Sequence, residues 1–147
     1  MSNYPNYRVS VEIVLIHNNK VLLTKRSSKA KVAPNVWNVP AGKVKYLETP
    51  IEALYRESKE EINLNVRFIK ELGVRAFKSD NEEETIYRLV YTYLVDVEDK
   101  ELLNLKLNDE HTEYKWVSGD DIKNKMFDTL DASLKNIILF SLNKSSY

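Results

Sequence analysis

A chain of 147 residues is long enough for one ordinary domain, and 43% hydrophobic residues allow a buried core beside 30% charged residues. Lys and Arg number 22, as do Asp and Glu, so the basic excess typical of duplex-DNA or membrane-surface binding is absent. The lack of cysteine excludes disulfides and thiolate metal sites. No apolar run resembles a signal peptide or a membrane span, which predicts a soluble cytoplasmic protein. We expect a single domain over residues 1–147, in which residues 1–6 form a loose arm.

The first half of the chain predicts a hairpin followed by an irregular loop. Residues 7–16 favour a β-strand because apolar and polar side chains alternate along them. The sequence His17-Asn18-Asn19 predicts a turn. Residues 20–25 favour a second strand that pairs with the first, and residues 26–35 form a polar loop without periodicity. Trp37, which follows this loop, is expected in the core.

A helix is predicted from Pro50 to about Ile62, because the sequence has both a start and a stop signal. Thr49 is a capping residue, Pro50 suits the first helical position, and Glu52 stands where a capping box requires an acid. Asn63 tolerates the left-handed conformation that closes a helix. The stripe predicted to face the core consists of Ile51, Leu54, Tyr55, Ser58 and Ile62.

Three acids lie on a second face of this helix, where local electrostatics disfavour them. Glu57, Glu60 and Glu61 have i, i+3, i+4 spacing, at which like charges repel. They also lie in the second half of the helix, where its dipole disfavours anions. A divalent cation would remove both penalties, and Mg²⁺ prefers carboxylate oxygens. The alternative is a solvated acidic face, which is the ordinary fate of such a pattern.

The elements after the helix are predominantly strands. Residues 64–69 and 72–78 predict either two strands or one strand bent at Gly73. The acids of residues 79–84 are expected to be solvated, although a loop of this kind could deliver one of them to a site. Residues 85–97 predict a long central strand covered by helices, because both of its faces are largely apolar.

The last part of the chain predicts two helices. Before them, Trp116 is expected in the core. Ser118 opens a short helix, and Asp131 caps the last helix. The buried stripe of that last helix is predicted to contain Leu134, Ile137, Ile138 and Leu142. The scarcity of glycine, with only Gly42, Gly73 and Gly119, suggests that each serves backbone geometry.

The stretch from Gly42 to Leu64 follows a spacing that chance seldom produces. The pattern G-x5-E-x7-R-E-x2-E-E is satisfied at six positions, which random composition would give about 5 times in 10⁸. The stretch resembles the Nudix box, G-x5-E-x7-R-E-U-x-E-E-x-G-U, where U is bulky and apolar. The matching residues are Gly42, Glu48, Arg56, Glu57, Glu60, Glu61 and Leu64. Ser58 and Asn63 depart from the box, and Lys45 and Leu47 stand where many members have Glu and Gly.

The resemblance implies the Nudix fold, an α/β/α sandwich with a mixed β-sheet between helices. It implies Mg²⁺-dependent (or Mn²⁺-dependent) hydrolysis of a pyrophosphate bond in a nucleoside diphosphate linked to another moiety. The metal ligands that it implies are Glu57 and Glu61, with Glu60, the carbonyl of Ala41 and Glu110 as further ligands. Arg56 is expected to pair with Glu48, and Arg26 to contact the nucleotide.

Several alternatives stay open at the level of sequence. Either Glu60 or Glu110 is the general base, and geometry must decide between them. The substrate is an NTP or dNTP, an oxidised nucleotide, ADP-ribose or a nucleotide sugar. A non-catalytic nucleotide-binding or sensor module of the same fold is the competing interpretation. We expect no duplex nucleic acid or membrane partner, and the chain is either a monomer or a homodimer.

Overall fold

The protein is built around a seven-stranded mixed sheet in the computed structural model, which describes residues 4–80 and 83–145. The strands are β1 (Tyr7–His17), β2 (Lys20–Arg26), β3 (Trp37–Asn38), β4 (Ala41–Lys43), β5 (Arg67–Asp80), β6 (Thr85–Asp96) and β7 (His111–Val117). The α-helices are α1 (Pro50–Ile62) and α2 (Ala132–Ser145), and 3₁₀ turns span Asp99–Asn104, Asp121–Lys123 and Lys125–Phe127. No helix in the described ranges is long and apolar enough to span a membrane.

Strand β1 is the organising strand of the sheet. Along one path the strand order is β3-β2-β1-β6-β5, with β4 also paired to β1 and β7 to β2. β1 runs parallel to β6 and antiparallel to β2 and β4. The predicted hairpin is present, with Ile16 opposite Val21 and with Asn18 and Asn19 at φ of 49° and 60° in the turn. β1 is paired on both edges and is buried from Val11 to Ile16, so both of its faces are covered along this stretch.

The two helices cover opposite faces of the sheet. On one face, Ala53, Leu54 and Ile62 of α1 share an apolar cluster with Val11 and Ile13 of β1. On the other face, residues of α2 pack in a second cluster with Val14 and Ile16 of β1. Since alternate residues of one strand point to opposite faces, this arrangement is the predicted α/β/α sandwich.

Two local predictions are refined by the structure, and a third is confirmed. β5 is one strand whose pairing with β6 shifts on either side of Lys70 and Glu71, so the chain continues through Gly73. The short helix predicted after Ser118 is a 3₁₀ turn over Asp121–Lys123. β6 lies between β1 and β5, as expected of a central strand.

Two other predicted features differ in degree. Trp37 is buried, whereas Trp116 is only half-buried and lies at the edge of the α1-side cluster. Of the acidic loop, Glu84 forms an exposed ion pair with Arg8, and Asp80 accepts a hydrogen bond from Thr85. Glu82 of that loop lies outside the described residues.

Candidate active site

Helix α1 begins and ends where the sequence predicts. The Thr49 hydroxyl accepts a hydrogen bond from the Glu52 N–H, and the Glu52 carboxylate accepts one from the Thr49 N–H. Asn63 closes the helix in the left-handed conformation at φ 58°, ψ 34°, and its N–H donates to the Lys59 carbonyl. This well-defined framework fixes the direction of every acid on the helix.

The face of α1 that is buried includes two of the acids and differs from the predicted core stripe. Tyr55 was expected in the core stripe but is 43% exposed. The buried residues of the helix are Ala53, Leu54, Glu57, Ser58, Glu61 and Ile62. Glu57 is only 8% exposed and Glu61 only 4% exposed, whereas the Glu60 side chain is 51% exposed. Two of the three acids therefore do not form the solvated face that a glutamate-rich helix usually presents.

Strand β4 lies against the buried acids and determines their positions. The Ala41 N–H donates a hydrogen bond to Oε2 of Glu61 at 3.2 Å. Next to it, a Cβ atom on Gly42 would overlap the carboxyl group of Glu57. Neither Gly42 nor Gly73 nor Gly119 has a positive φ, so the prediction that each glycine serves backbone geometry is wrong. Gly42 is instead needed for the space that the Glu57 carboxyl group occupies.

Arg56 links the loop before α1 to the acids on the helix. Its guanidinium makes two hydrogen bonds to the Glu48 carboxylate, at 2.6 and 2.9 Å, so the expected pair is present. The same group donates to Glu57 at 2.7 Å, to Glu60 at 3.1 Å and to the Lys43 carbonyl at 2.8 Å. The hydrogen bonds from Arg56 lower the pKa of Glu48 to about 2. Glu48 therefore stays ionised across the physiological range.

The buried acids are electrostatically strained without a cation. Burial raises the pKa of Glu61 to about 8, and the negative charges of Glu57 and Glu110 add to the effect. Burial also raises the pKa of Glu57, although the hydrogen bond from Arg56 opposes that shift. Because Glu110 acts on both, the charges of three carboxylates meet in one small region.

The acids of α1, Arg56 and Glu110 line a pocket of about 660 Å³, which we call the carboxylate pocket. Its lining comprises Arg26, Ala41, Gly42, Lys43, Val44, Lys45, Arg56, Glu57, Glu60, Glu61, Asn108 and Glu110. Every predicted site residue except Glu48 is in this set. Glu48 contributes indirectly, through its two hydrogen bonds with Arg56. Lys43, Lys45 and Asn108 were not predicted as site residues, although Lys43 and Lys45 follow Ala41 and Gly42 closely in the sequence and only Asn108 depends on the fold to reach the acids. Another pocket of about 350 Å³, near Phe140, is lined mostly by apolar residues and has a single acid and a single cation, Asp96 and Lys70.

The donor set of the larger pocket fits a hard divalent cation. Carboxylate oxygens and a backbone carbonyl are the ligands that Mg²⁺ prefers, with water completing its coordination. In the described part of the chain, no three acidic or histidine side chains are already close enough together to hold one ion. Binding of a cation would thus require small side-chain adjustments of these acids.

A sequence model of the NUDIX domain matches residues 6–138. The chain belongs to the Nudix family. A curated relative, the RNA pyrophosphohydrolase of Marinomonas sp. (strain MWYL1), is 38% identical over 73 residues, which are 50% of this chain and 43% of the relative. The aligned region thus spans less than half of that relative's length.

Solved structures of other proteins share this Nudix fold. A MutT protein from Methanosarcina mazei Go1 is 26% identical with a TM-score of 0.69, and the match covers 99% of both chains. An Ap4A hydrolase from C. elegans is 21% identical with a TM-score of 0.70, over 95% of this chain and 99% of the other. The E. coli dihydroneopterin triphosphate pyrophosphohydrolase is 19% identical with a TM-score of 0.70, over 94% and 98%.

The positions where this Nudix chain departs from the box keep its backbone geometry. Asn63, in place of glycine, adopts the left-handed conformation, and so does the 87% exposed Leu47 at φ 68°. Asparagine tolerates this region, whereas leucine is strained in it. Ser58 is fully buried, and its Oγ finds no hydrogen-bond partner among the described residues. Neither Asn63 nor Ser58 displaces an acid from the pocket.

Proposed function

We propose that this Nudix protein hydrolyses a pyrophosphate bond in a nucleoside diphosphate linked to a further group, with Mg²⁺ or Mn²⁺ bound. The observation that carries the proposal is the convergence of Glu57, Glu61 and Glu110 on one pocket that Arg26 also lines. Burying several carboxylates together is costly unless a cation offsets their charge. A pyrophosphate suits such a site because its oxygens can bind both the cation and the arginine.

The acids of α1 and the facing strand would hold the cation. Glu57 and Glu61 lie one helical turn apart on the buried face, and the Ala41 carbonyl belongs to the adjacent strand. Glu60 and Glu110 would complete the set directly or through water. When bound, the cation neutralises phosphate oxygens and lowers the pKa of an attacking water.

Basic groups around the pocket would bind the phosphates. Arg26, Lys43 and Lys45 line it, and their positive charges complement those phosphate oxygens that the cation leaves unpaired. The Arg26 Nε donates to the Val32 carbonyl at 2.9 Å, which fixes the direction of its guanidinium. Arg56 is committed to Glu48, Glu57 and Glu60, so we assign it the role of holding the acids in place.

Glu110 is our assignment for the general base. The carboxylate of Glu60 accepts a hydrogen bond from Arg56 at 3.1 Å, and this bond occupies an oxygen that a base would use to accept a proton from water. Glu110 precedes β7 and therefore enters the pocket from a different element than α1. Glu110 can therefore contact the cation through the water that it deprotonates, while the acids of α1 bind the cation directly.

A non-catalytic nucleotide-binding module is the alternative with the same fold. Such a module would need the cations of the pocket but not its buried acids. Glu57 and Glu61 are 8% and 4% exposed, and a binder gains nothing from the cost of burying them. The retention of these acids therefore favours catalysis.

A substrate panel tests the proposal. It contains dNTPs, oxidised nucleotides, ADP-ribose, nucleotide sugars, Ap4A and 5′-triphosphorylated RNA, the last two because of the named activities of similar proteins. We expect Mg²⁺-dependent release of phosphate or of a phosphatase-sensitive product from at least one of them. EDTA should abolish the reaction, and excess Mg²⁺ or Mn²⁺ should restore it. Turnover that persists in the chelator would contradict the metal-dependent mechanism, and binding without turnover would favour the sensor module.

A further inference from the structure

The segment that carries Glu110 is attached to the C-terminal end of α1. The backbone N–H groups of Lys106 and Asn108 donate to the carbonyls of Ile62 and Glu61, at 3.1 and 3.2 Å. These carbonyls belong to the last turn of the helix, where intrahelical donors run out. The segment therefore supplies the missing donors and is held next to Glu61, whose carboxylate lies in the pocket.

The Asn108 side chain determines the direction in which the chain enters β7. Its Oδ1 accepts a hydrogen bond from the Glu110 N–H at 3.1 Å, which closes an Asx turn over Asn108–Glu110. Nδ1 of His111 lies 3.3 Å from the same oxygen, and the His111 N–H donates to the Asn108 carbonyl at 3.3 Å. On the far side of the turn, the Ser27 N–H donates to the Glu110 carbonyl at 2.8 Å. The backbone of Glu110 is thus held on both sides.

Asn63 adds a second attachment between the helix and this segment. Its Nδ2 donates to the Asn104 carbonyl at 2.9 Å. A glycine at this position would allow the same left-handed turn but could not form that bond. The side chain of Asn63 therefore links the end of α1 to Asn104, which closing the helix does not require.

We propose that Asn108 and Asn63 are positioning residues that hold Glu110 at the carboxylate pocket by fastening the segment 104–110 to the end of α1. Asn108 acts through the Asx turn, and Asn63 acts through the Asn104 carbonyl. The inference deepens the function proposed above, on which it rests for the role of Glu110. Neither asparagine needs to touch a cation or a substrate.

The first test uses Asn108→Ala, with Asn124→Ala as a matched control. Asn124 also closes a short turn, since its Oδ1 accepts from the Met126 N–H at 3.0 Å, but it does not line the carboxylate pocket. Exchange of the Glu110 amide hydrogen, followed by NMR without metal or substrate, should be about tenfold faster in Asn108→Ala and unchanged in the control. Unchanged Glu110 exchange in Asn108→Ala would overturn the proposal.

The second test measures Mn²⁺ affinity from the EPR signal of the free ion, also without substrate. Loss of an orienting contact typically weakens metal affinity about tenfold or more. We expect that loss for Asn108→Ala, a smaller one for Asn108→Ser, whose hydroxyl can replace part of the turn, and none for Asn124→Ala. In a Glu110→Gln background, Asn108→Ala should cause little further loss, because both changes act on the same carboxylate. Equal losses for the alanine and serine variants, or fully additive losses in the double variant, would contradict the positioning role.

Asn63→Gly tests the hydrogen bond from the Asn63 side chain to Asn104 separately from the closure of the helix. Glycine suits the left-handed turn, so the urea midpoint should not fall, whereas Mn²⁺ affinity and kcat should fall and KM should change little. Wild-type Mn²⁺ affinity in this variant would remove Asn63 from the proposal. If the wild-type protein cleaves no substrate, the proposed function fails. The exchange of the Glu110 amide hydrogen still decides whether Asn108 holds Glu110 in place.

Discussion

Replacing Gly42 with alanine should disable the pocket without disturbing the fold elsewhere. The backbone of Gly42 does not have a positive φ, so alanine can adopt its conformation. The added Cβ, however, would occupy the space of the Glu57 carboxyl group. The carboxyl group cannot share that volume, and it must move by roughly an ångström or more. A displacement of about 1 Å in a catalytic constellation costs roughly 100-fold in rate, and crowding a packed site costs about 1–3 kcal/mol of unfolding free energy.

The chain offers a matched control for this substitution. A Cβ on Gly73 would approach nothing closer than Cδ1 of Ile137, at 4.0 Å, which is ordinary contact. We therefore expect Gly73→Ala to keep wild-type kcat/KM on the substrate found with the panel, while Gly42→Ala loses about 100-fold or more. Urea unfolding of both variants shows whether the fold is retained. Equal activity of Gly42→Ala and Gly73→Ala would refute the placement of Glu57 against Gly42.

Two further predictions concern Arg56 and Asp131. In Arg56→Lys, a single ammonium replaces the planar guanidinium that makes two hydrogen bonds to Glu48. We expect kcat to fall about 10-fold or more and the urea midpoint to fall as well. Unchanged kinetics would contradict the orienting role of Arg56. Asp131 accepts the Ser133 and Leu134 N–H groups at the start of α2, so Asp131→Ala should cost about 1 kcal/mol at pH 7. The Ser133 hydroxyl, which also donates to Asp131, and the Leu134 N–H lower the pKa of Asp131, so the cap stabilises the fold above the ordinary value near 3.8 and is lost as the pH falls. The deficit measured by urea unfolding should therefore shrink at pH 3, and an equal deficit at both pH values would contradict the assignment.

The predictions that succeeded rest on local chemistry. Thr49, Glu52 and Asn63 determine where α1 begins and ends, and such capping interactions depend on residues only a few positions apart. The pairing of Arg56 with Glu48 is also semi-local, because it joins the helix to the loop directly before it. Interactions between residues so close in the sequence can be predicted from the sequence alone.

The extent of acid burial could not be predicted from the helix by itself. The apolar stripe predicted that Tyr55 packs inward and left the three acids on a second face, with a solvated acidic face as the alternative to a metal site. Strand β4 lies beside the acids instead, and the N–H of its first residue, Ala41, gives Glu61 a hydrogen bond. Pairing of β4 with β1 produces this contact, and that pairing has no signal within the helix. Tyr55 is left on the exposed side as a consequence.

The parts of the site that come from distant loops depend on tertiary contacts. Glu110 was predicted from a resemblance, but what holds it, Asn108 and the end of α1, was not. The role of Gly42 was predicted for the wrong reason, since steric space for a side chain 15 positions away is invisible in the sequence.

The central claim, that buried carboxylates of α1 hold a divalent cation, can be tested most directly by urea unfolding of the wild type and Glu61→Gln with and without Mn²⁺. Glutamine can still accept the Ala41 N–H, and it removes a carboxyl group that must take up a proton when the chain folds at pH 7, because burial raises the pKa of Glu61 to about 8. Without metal, Glu61→Gln should therefore be more stable than the wild type by about 1–3 kcal/mol. At 100 times the Kd, Mn²⁺ should stabilise the wild type by about 2.7 kcal/mol, and Glu61→Gln should gain far less at the same concentration. An equal gain in both proteins, or no gain in the wild type, would contradict the account.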